Sequence, residues 1–329
     1  MTYQPRGLFA RLRPRAVRRG AMAGERRASR WVERRATRRS DRLRRLKAKA
    51  RPAIVYGKIG PLEVRLAASK RDLRLAQRLR YQVFYEEMSA TPSLRMQMRR
   101  RDEDKFDPVC DHLLVIDTER RGSGPNRWLR GGAPQVVGTY RVLREDMLER
   151  GTTFYTQSEY DIAPLLEAQT GKTRFMELGR SCVLKPYRNK RTVELLWHGL
   201  WTYCREHGIG AMMGCASFEG TDPDAHADAL SFLYHHRLAP PEWRVRAHDA
   251  LHVEMNRIPK DKIDARAGLK ALPPLIKGYL RLGAFVGDGA VIDPQFGTTD
   301  VFIILPVGEI DPRYFGHFGT PDEVTSRVS

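Results

Sequence analysis

Cysteine is scarce in this sequence of 329 residues. There are four, Cys110, Cys182, Cys204 and Cys215, with no C-x-x-C pair among them. Spacing so wide excludes a zinc-ribbon pattern and a disulfide-framed small domain, and it fits a reducing compartment. No run of about 18 apolar residues occurs, so no membrane-spanning helix is expected. The N-terminus carries charge with no apolar segment behind it, so no secretory signal is expected either. No G-x-S-x-G or comparable Ser/His/Asp pattern is present, which removes the usual hydrolase nucleophiles. Acidic residues are nearly missing from residues 1–50, which hold three against 18 Lys and Arg, a net +15. The whole chain carries +19, so residues 51–329 carry only +4.

The charge therefore belongs to a segment, not to the folded body. Residues 1–58 offer little apolar surface to bury and are expected to form a disordered basic tail. Three partners suit such a tail: an anionic membrane surface, an acidic carrier protein and nucleic acid. Few aromatic side chains interleave with the arginines, which makes nucleic acid the unlikely partner. The expected location is cytoplasmic, peripheral on the inner face of the membrane.

From Glu63 onward the pattern is that of an ordinary core, and 41% of the chain is hydrophobic. Ser69 is placed to cap a helix over 70–88. Apolar runs predict strands over 112–117, 136–143, 175–184, 211–215 and 301–307. Leu196, Leu200 and Tyr203 give the buried face of a helix over 192–207, closed by Gly208. Helices are also expected over 225–236 and 274–282. Short strands with helices between them make one mixed α/β domain over 59–329, with a C-terminal extension from about 255.

The segment after the 175–184 strand, Lys185-Pro186-Tyr187-Arg188-Asn189-Lys190-Arg191-Thr192, leads directly into a helix. That arrangement resembles the GNAT acyltransferases, whose sheet is mixed and mostly antiparallel. In them the peptide N–H groups of this helix start hold the phosphate of a carrier, as helix N-termini can. The match extends over 62–318. Arg80-Tyr-Gln-Val-Phe84, Asp104-Lys-Phe-Asp107, Val137-Gly-Thr-Tyr-Arg141 and Met176-Glu177-Leu-Gly-Arg180 resemble acyl-homoserine-lactone synthases in order and spacing. They are still more similar to bacterial ornithine acyltransferases, which make lyso-ornithine lipid from a 3-hydroxyacyl carrier protein. Leu272-Pro-Pro-Leu-Ile-Lys-Gly-Tyr and Gln295-Phe-Gly-Thr-Thr-Asp300-Val carry the same likeness.

The resemblance implies an N-acyltransferase with no permanently bound cofactor and no metal. Its co-substrate would be a 3-hydroxyacyl–acyl carrier protein and its acceptor L-ornithine. Arg188, Asn189, Lys190, Arg191 and Thr192 are the expected binders of the phosphopantetheine. The loop has Arg191 and Val193 where GNAT loops have glycine, which fits a single phosphate better than a pyrophosphate. Glu177 stands in an otherwise apolar strand, where a carboxylate is costly unless it is used or paired. It is the expected base, with a salt bridge to Arg180 or Arg141 as the structural alternative. Asp104, Asp107 and Arg180 are expected at the catalytic centre, and Arg80, Phe84 and Arg141 at the substrate. Scaffold alternatives stand beside these: Arg80 can pair with either aspartate, Asp104 and Asp107 can be loop carboxylates on a solvated turn, and Phe84 can belong to the core. Lys277, Asp288 and Asp293 are further candidates for the ends of ornithine. Glu177 and Arg180 lie three apart, on opposite faces of a regular strand. Service to one cleft therefore requires a bulge near Gly179. His112 and Asp117 mimic an H-x-x-x-x-D dyad, but in a strand they stand about 16 Å apart.

Overall fold

The computed structural model describes residues 53–88, 90–121, 134–149 and 152–310. The expected disorder of the basic segment falls on 1–52 and lies outside the described residues. Its expected end at 58 does not hold. Strand β1, Val55–Ile59, already belongs to the sheet and pairs antiparallel with β2, Leu62–Leu66. Tyr56 drives this: its ring is buried and its hydroxyl donates to Glu206 at 2.7 Å. Pro52, Gly57 and Gly60 around it conceal so short a strand in the sequence.

Ten strands form one sheet in the order β1-β2-β3-β4-β6-β7-β10-β9-β8-β5. The long members are β3 (Asp111–Arg121), β4 (Pro134–Arg144), β6 (Phe175–Val183), β7 (Ala211–Glu219), β9 (Phe285–Asp293) and β10 (Thr298–Pro306). Two-residue strands β5 (Tyr160–Asp161) and β8 (Arg246–Ala247) close the far edge. Pairing is antiparallel except for β6 with β7 and β8 with β9. The mixed, mostly antiparallel sheet is thus as expected. The C-terminal stretch is no appendage, however. Strand β10 sits between β7 and β9 with all nine residues buried. A chain end that supplies a central strand is invisible to local pattern, because strand order is a long-range property.

Among the described residues there are seven α-helices. They are α1 (Lys70–Tyr81), α2 (Leu94–Arg99), α3 (Ala163–Ala168), α4 (Lys190–Glu206), α5 (Ala227–Arg237), α6 (Ala265–Ala271) and α7 (Pro274–Arg281). Ser69 caps α1 by accepting from Asp72 N at 3.1 Å. The expected helix to 88 does continue past Tyr81, but over Gln82–Glu87 it widens into a π-helical turn. Gly208 follows α4 at φ +60°, the left-handed stop its position requires. One face of the sheet buries Met176, Leu178, Met212, Val301 and Ile303 beneath α4 and α7. The other buries Phe175, Ala211, Met213, Phe302 and Ile304. The alternation along β6, β7 and β10 is the period-two signature of a sheet covered on both sides.

Candidate active site

The site arises from one discontinuity in the sheet. Parallel β6 and β7 pair only at Phe175–Glu177 against Ala211–Met213. Beyond those residues they part, and the edges they turn toward each other no longer bond to one another. Gly214 stands where they diverge. A Cβ there would lie 2.3 Å from the Leu178 carbonyl oxygen, a contact that only glycine avoids. The opening is lined by Leu178, Gly214, Cys215, Tyr279, Ile303 and Leu305 among others, and its lining is mostly apolar.

The bulge is present. On β4, Thr139 and Arg141 face Cys182 and Gly179 of β6, so two β6 residues, Arg180 and Ser181, oppose Tyr140 alone. The unusual backbone is at Arg180, with φ +50°, and not at the neighbouring glycine. A side chain in that region costs about 1–2 kcal/mol and persists only where its surroundings hold it. Here they do. The Arg180 guanidinium lies over the rings of Tyr155 (5.0 Å) and Phe296 (4.7 Å). It also reaches Asp102 and Asp104, each at 3.4 Å. Glu177 and Arg180 consequently share one face.

Around Arg180 the structure assembles three guanidinium groups and three carboxylates. Arg80 is fully buried; its Nε is 2.7 Å from Asp102 Oδ2, an ion contact without hydrogen-bond alignment, and its Nη2 donates to Asp107 at 2.8 Å. Arg141 donates to Asp104 at 2.6 Å and to Asp107 at 3.3 Å. Gln77 donates to Asp107 at 2.9 Å. Burial alone would raise the Asp107 carboxyl, but Arg80, Gln77 and Arg141 outweigh it and hold it well below the usual carboxylate range. Arg80, Arg141, Asp104 and Asp107 thus pair with one another, Arg80 is closed off from solvent, and the two aspartates do not lie on a solvated turn. Asp102 completes the network and was missed, although it stands in the acidic run with Glu103 and Asp104. Phe84 packs edge-on against Phe296 at 5.7 Å and joins the aromatic wall below Arg180.

Glu177 pairs with neither arginine. Its Oε1 accepts from Thr156 N (2.7 Å) and Thr156 Oγ1 (2.6 Å), and its Oε2 from Tyr155 N (2.9 Å). It thereby ties the turn Tyr155–Ser158 to the sheet. Burial pushes its carboxyl up, against the pull of Thr156, Tyr155 and Arg141. The turn in turn supplies Tyr155, the ring beneath Arg180. No local signal joins Thr156 to Glu177 across 21 residues, so sequence reasoning missed it.

The basic loop sits at the start of α4. Asn189 caps the helix, its Oδ1 accepting from Thr192 N at 3.2 Å. Arg188 is braced by Glu87 and the Val183 carbonyl. Lys190 pairs with Glu194 at 3.5 Å. Arg191 is exposed and makes no ion pair among the described residues. Of the remaining candidates, Lys277 bonds to the Lys270 carbonyl and Asp288 pairs with Arg246. The His112–Asp117 decoy is dismantled: His112 meets the Asp107 carbonyl and Asp117 accepts from Tyr187. All four cysteines are free. Burial pushes the Cys110, Cys182 and Cys204 thiols up to about 12 and Cys215 well above its ordinary value, so none is a ready nucleophile.

A family model for an acetyltransferase (GNAT) domain matches residues 79–198, which contain β3, β4, β6 and the start of α4. An L-ornithine N(alpha)-acyltransferase of Rhizobium meliloti is 52% identical over 83% of this chain and 90% of its own. The Agrobacterium fabrum protein of the same name is 51% identical over 80% and 87%. The chain belongs to the L-ornithine N(alpha)-acyltransferase family. The one of Rhodobacter capsulatus is 41% identical over 77% of this chain and 92% of its own. Among solved structures, an N-acyl amino acid synthase from uncultured soil microbes aligns at a TM-score of 0.43 and 10% identity, over 76% of this chain and 93% of that one. That likeness is too loose to argue from. The matched segment stops short of β7, α7, β9 and β10.

Proposed function

We infer that this chain is an N-acyltransferase that moves a 3-hydroxyacyl group from acyl carrier protein to the α-amine of L-ornithine, giving lyso-ornithine lipid. The observation that carries the reading is the parted sheet of a GNAT domain in a chain half identical to enzymes named for that reaction. In the transfer, the amine nitrogen bonds to the thioester carbon, the C–S bond breaks and the carrier thiol leaves. The ammonium proton must go before attack, and the departing sulfur takes one up. A thioester needs no covalent enzyme intermediate. Positioning alone can contribute roughly 7–11 kcal/mol. Peptide N–H groups on the edges of β6 and β7, whose pairing stops at Glu177 and Met213, are proposed to steady the oxyanion. Lipid analysis by mass spectrometry, after expression in a host without ornithine lipids, tests the reading; a host that gains no N-acylornithine contradicts it.

The donor enters from the α4 face. Arg191 and the capped start of α4 are proposed to hold the single phosphate of phosphopantetheine, with Arg188, Lys190 and Thr192 shaping the loop. Arg191→Ala is expected to raise the apparent KM for the carrier-bound donor severalfold and leave kcat nearly unchanged. Turnover with the matching acyl-coenzyme A that equals turnover with the carrier would overturn the choice of donor.

Among the described residues no helix is long and apolar enough to cross a membrane. Delivery of product to a bilayer is assigned to the basic segment. Each Lys or Arg beside an anionic leaflet contributes about 1 kcal/mol, and residues 1–50 carry +15. A chain lacking residues 1–52 should stay in the supernatant when spun with anionic vesicles, whereas the full chain should sediment at low salt.

A further inference from the structure

One group of charges is left unused. Glu159 follows the Tyr155–Ser158 turn, Asp293 ends β9 and Asp300 lies on β10, and one oxygen from each lies within 4.8 Å of the others. Glu159 and Asp300 are 8% and 6% exposed, and Asp293 is half-buried, with its Oδ1 accepting from Gln295 N at 2.7 Å and Phe296 N at 3.0 Å. None of the three makes an ion pair among the described residues. Glu159 Oε2 and Asp300 Oδ1 are buried and lack any hydrogen-bond partner. Beside Asp300, Thr298 is 5% exposed, and its hydroxyl, which leans toward the Asp300 carboxylate, has no well-aligned partner. Arg180 is the near cation, and it is engaged by Asp102 and Asp104. The near donors are the Cys215 thiol and the Ser217 and Thr298 hydroxyls, none of them a cation, and buried carboxylates so weakly met are costly enough that a structural reason or a ligand is required.

We propose that Glu159, Asp293 and Asp300, with the Thr298 hydroxyl, bind the second, side-chain ammonium of a diamino-acid acceptor. The inference rests on the acyl-transfer reading above and adds to it how one of two amines is chosen. Strand β10 pairs with β7, placing Asp300 opposite Ser217 and Phe302 opposite Cys215. Cys215 lines the cleft, so the pocket lies two β7 residues from it, about 7 Å along the strand. The two amines of ornithine are about 6 Å apart when the chain is extended. The pocket opens on the Phe302 face, opposite the α4 face by which the donor enters. An ammonium 2.8 Å from each of three acceptors along tetrahedral N–H directions needs them about 4.6 Å apart, within the span seen here. An amine held there stays protonated and cannot attack. The α-amine has the lower intrinsic pKa by about 2 units and is left free to reach the thioester. Burial, together with the mutual repulsion of the carboxylates, pushes Glu159 up to about 7 and Asp300 to about 6. A bound cation would lower both again.

The test compares ornithine with norvaline, which has the same carbon chain and no side-chain amine, for the full-length wild type, Glu159→Gln and Asp300→Asn. The ratio of kcat/KM for ornithine to that for norvaline should fall roughly thirtyfold or more in each variant. Both variants should melt at or above the wild type without ligand, because each removes an unpaired buried charge; a merely structural carboxylate would move the melting point the other way. Ornithine, and not norvaline, should raise the melting temperature of the wild type, and this shift should vanish in Asp300→Asn. An unchanged ratio in folded variants of an enzyme that acylates ornithine overturns the pocket and spares the activity. If the wild type acylates no ornithine, the melting shift still decides: its absence overturns the pocket, and its presence with loss in Asp300→Asn supports it. A shift produced by Mg²⁺, Mn²⁺ or Zn²⁺ in place of ornithine, and lost in Asp300→Asn, would assign the carboxylates to a metal and overturn the proposal.

Discussion

Replacing Arg80 by methionine is expected to destabilise the protein by roughly 3–5 kcal/mol, although methionine fills nearly the same volume and suits a core. Arg80 is fully buried and touches both Asp102 and Asp107. Without it, two buried carboxylates share only Arg141 and Arg180. The sign with pH follows from Asp107. Its carboxyl is held below the ordinary 3.8, so it stabilises the fold above that value and loses the contribution as pH falls. Arg80→Met should therefore cost most near neutral pH and progressively less in acid. Urea denaturation at pH 7 and at about pH 2.5, below the unfolded carboxyl value, measures both. A variant within 1 kcal/mol of the wild type at pH 7 would show that the network does not hold the site together.

Glu177→Gln is the second substitution with a large expected effect. The carboxylate accepts three hydrogen bonds from Tyr155 and Thr156. Glutamine offers one carbonyl oxygen and turns an NH₂ group toward a donor. Each buried donor left unmet costs about 1–3 kcal/mol. The Tyr155 turn should loosen, and with it the ring under Arg180 and the approach to Glu159. We expect a lower melting temperature and a kcat/KM for ornithine reduced by about two orders of magnitude, with the donor KM little changed. Glu177 then acts as a positioning residue. A base would behave differently: kcat would collapse at constant melting temperature, and the acidic limb of the pH profile would disappear.

Much of this was legible in the sequence because it is local. The Ser69 cap, the face of α4 and the strands around 112, 136, 175 and 211 follow from period and capping chemistry. The bulge at Arg180 was demanded by two charged residues three apart in one strand. What escaped depends on distant pairing. Tyr56 makes a strand of a stretch rich in glycine by meeting Glu206, and β10 enters the middle of the sheet from the chain's far end. The pairing of Glu177 with Thr156, and of Glu159 with Asp300, joins residues 21 and 141 positions apart, which no periodicity links. The sequence offered Arg80 a pairing with Asp104 or Asp107, and Arg141 or Arg180 a pairing with Glu177. Only the fold shows that aspartates neutralise all three arginines and that the unpaired carboxylates lie elsewhere, on β9, β10 and the turn before β5.

The central claim is that a sheet parted between β6 and β7 brings a carrier-bound acyl group to the α-amine of ornithine. Purified protein incubated with 3-hydroxyacyl–acyl carrier protein and L-ornithine tests it, with tandem mass spectrometry to locate the new amide. The account predicts release of the carrier thiol in step with a single product acylated on the α-nitrogen. Acylation on the side-chain nitrogen, or thiol release without an amide, would contradict it.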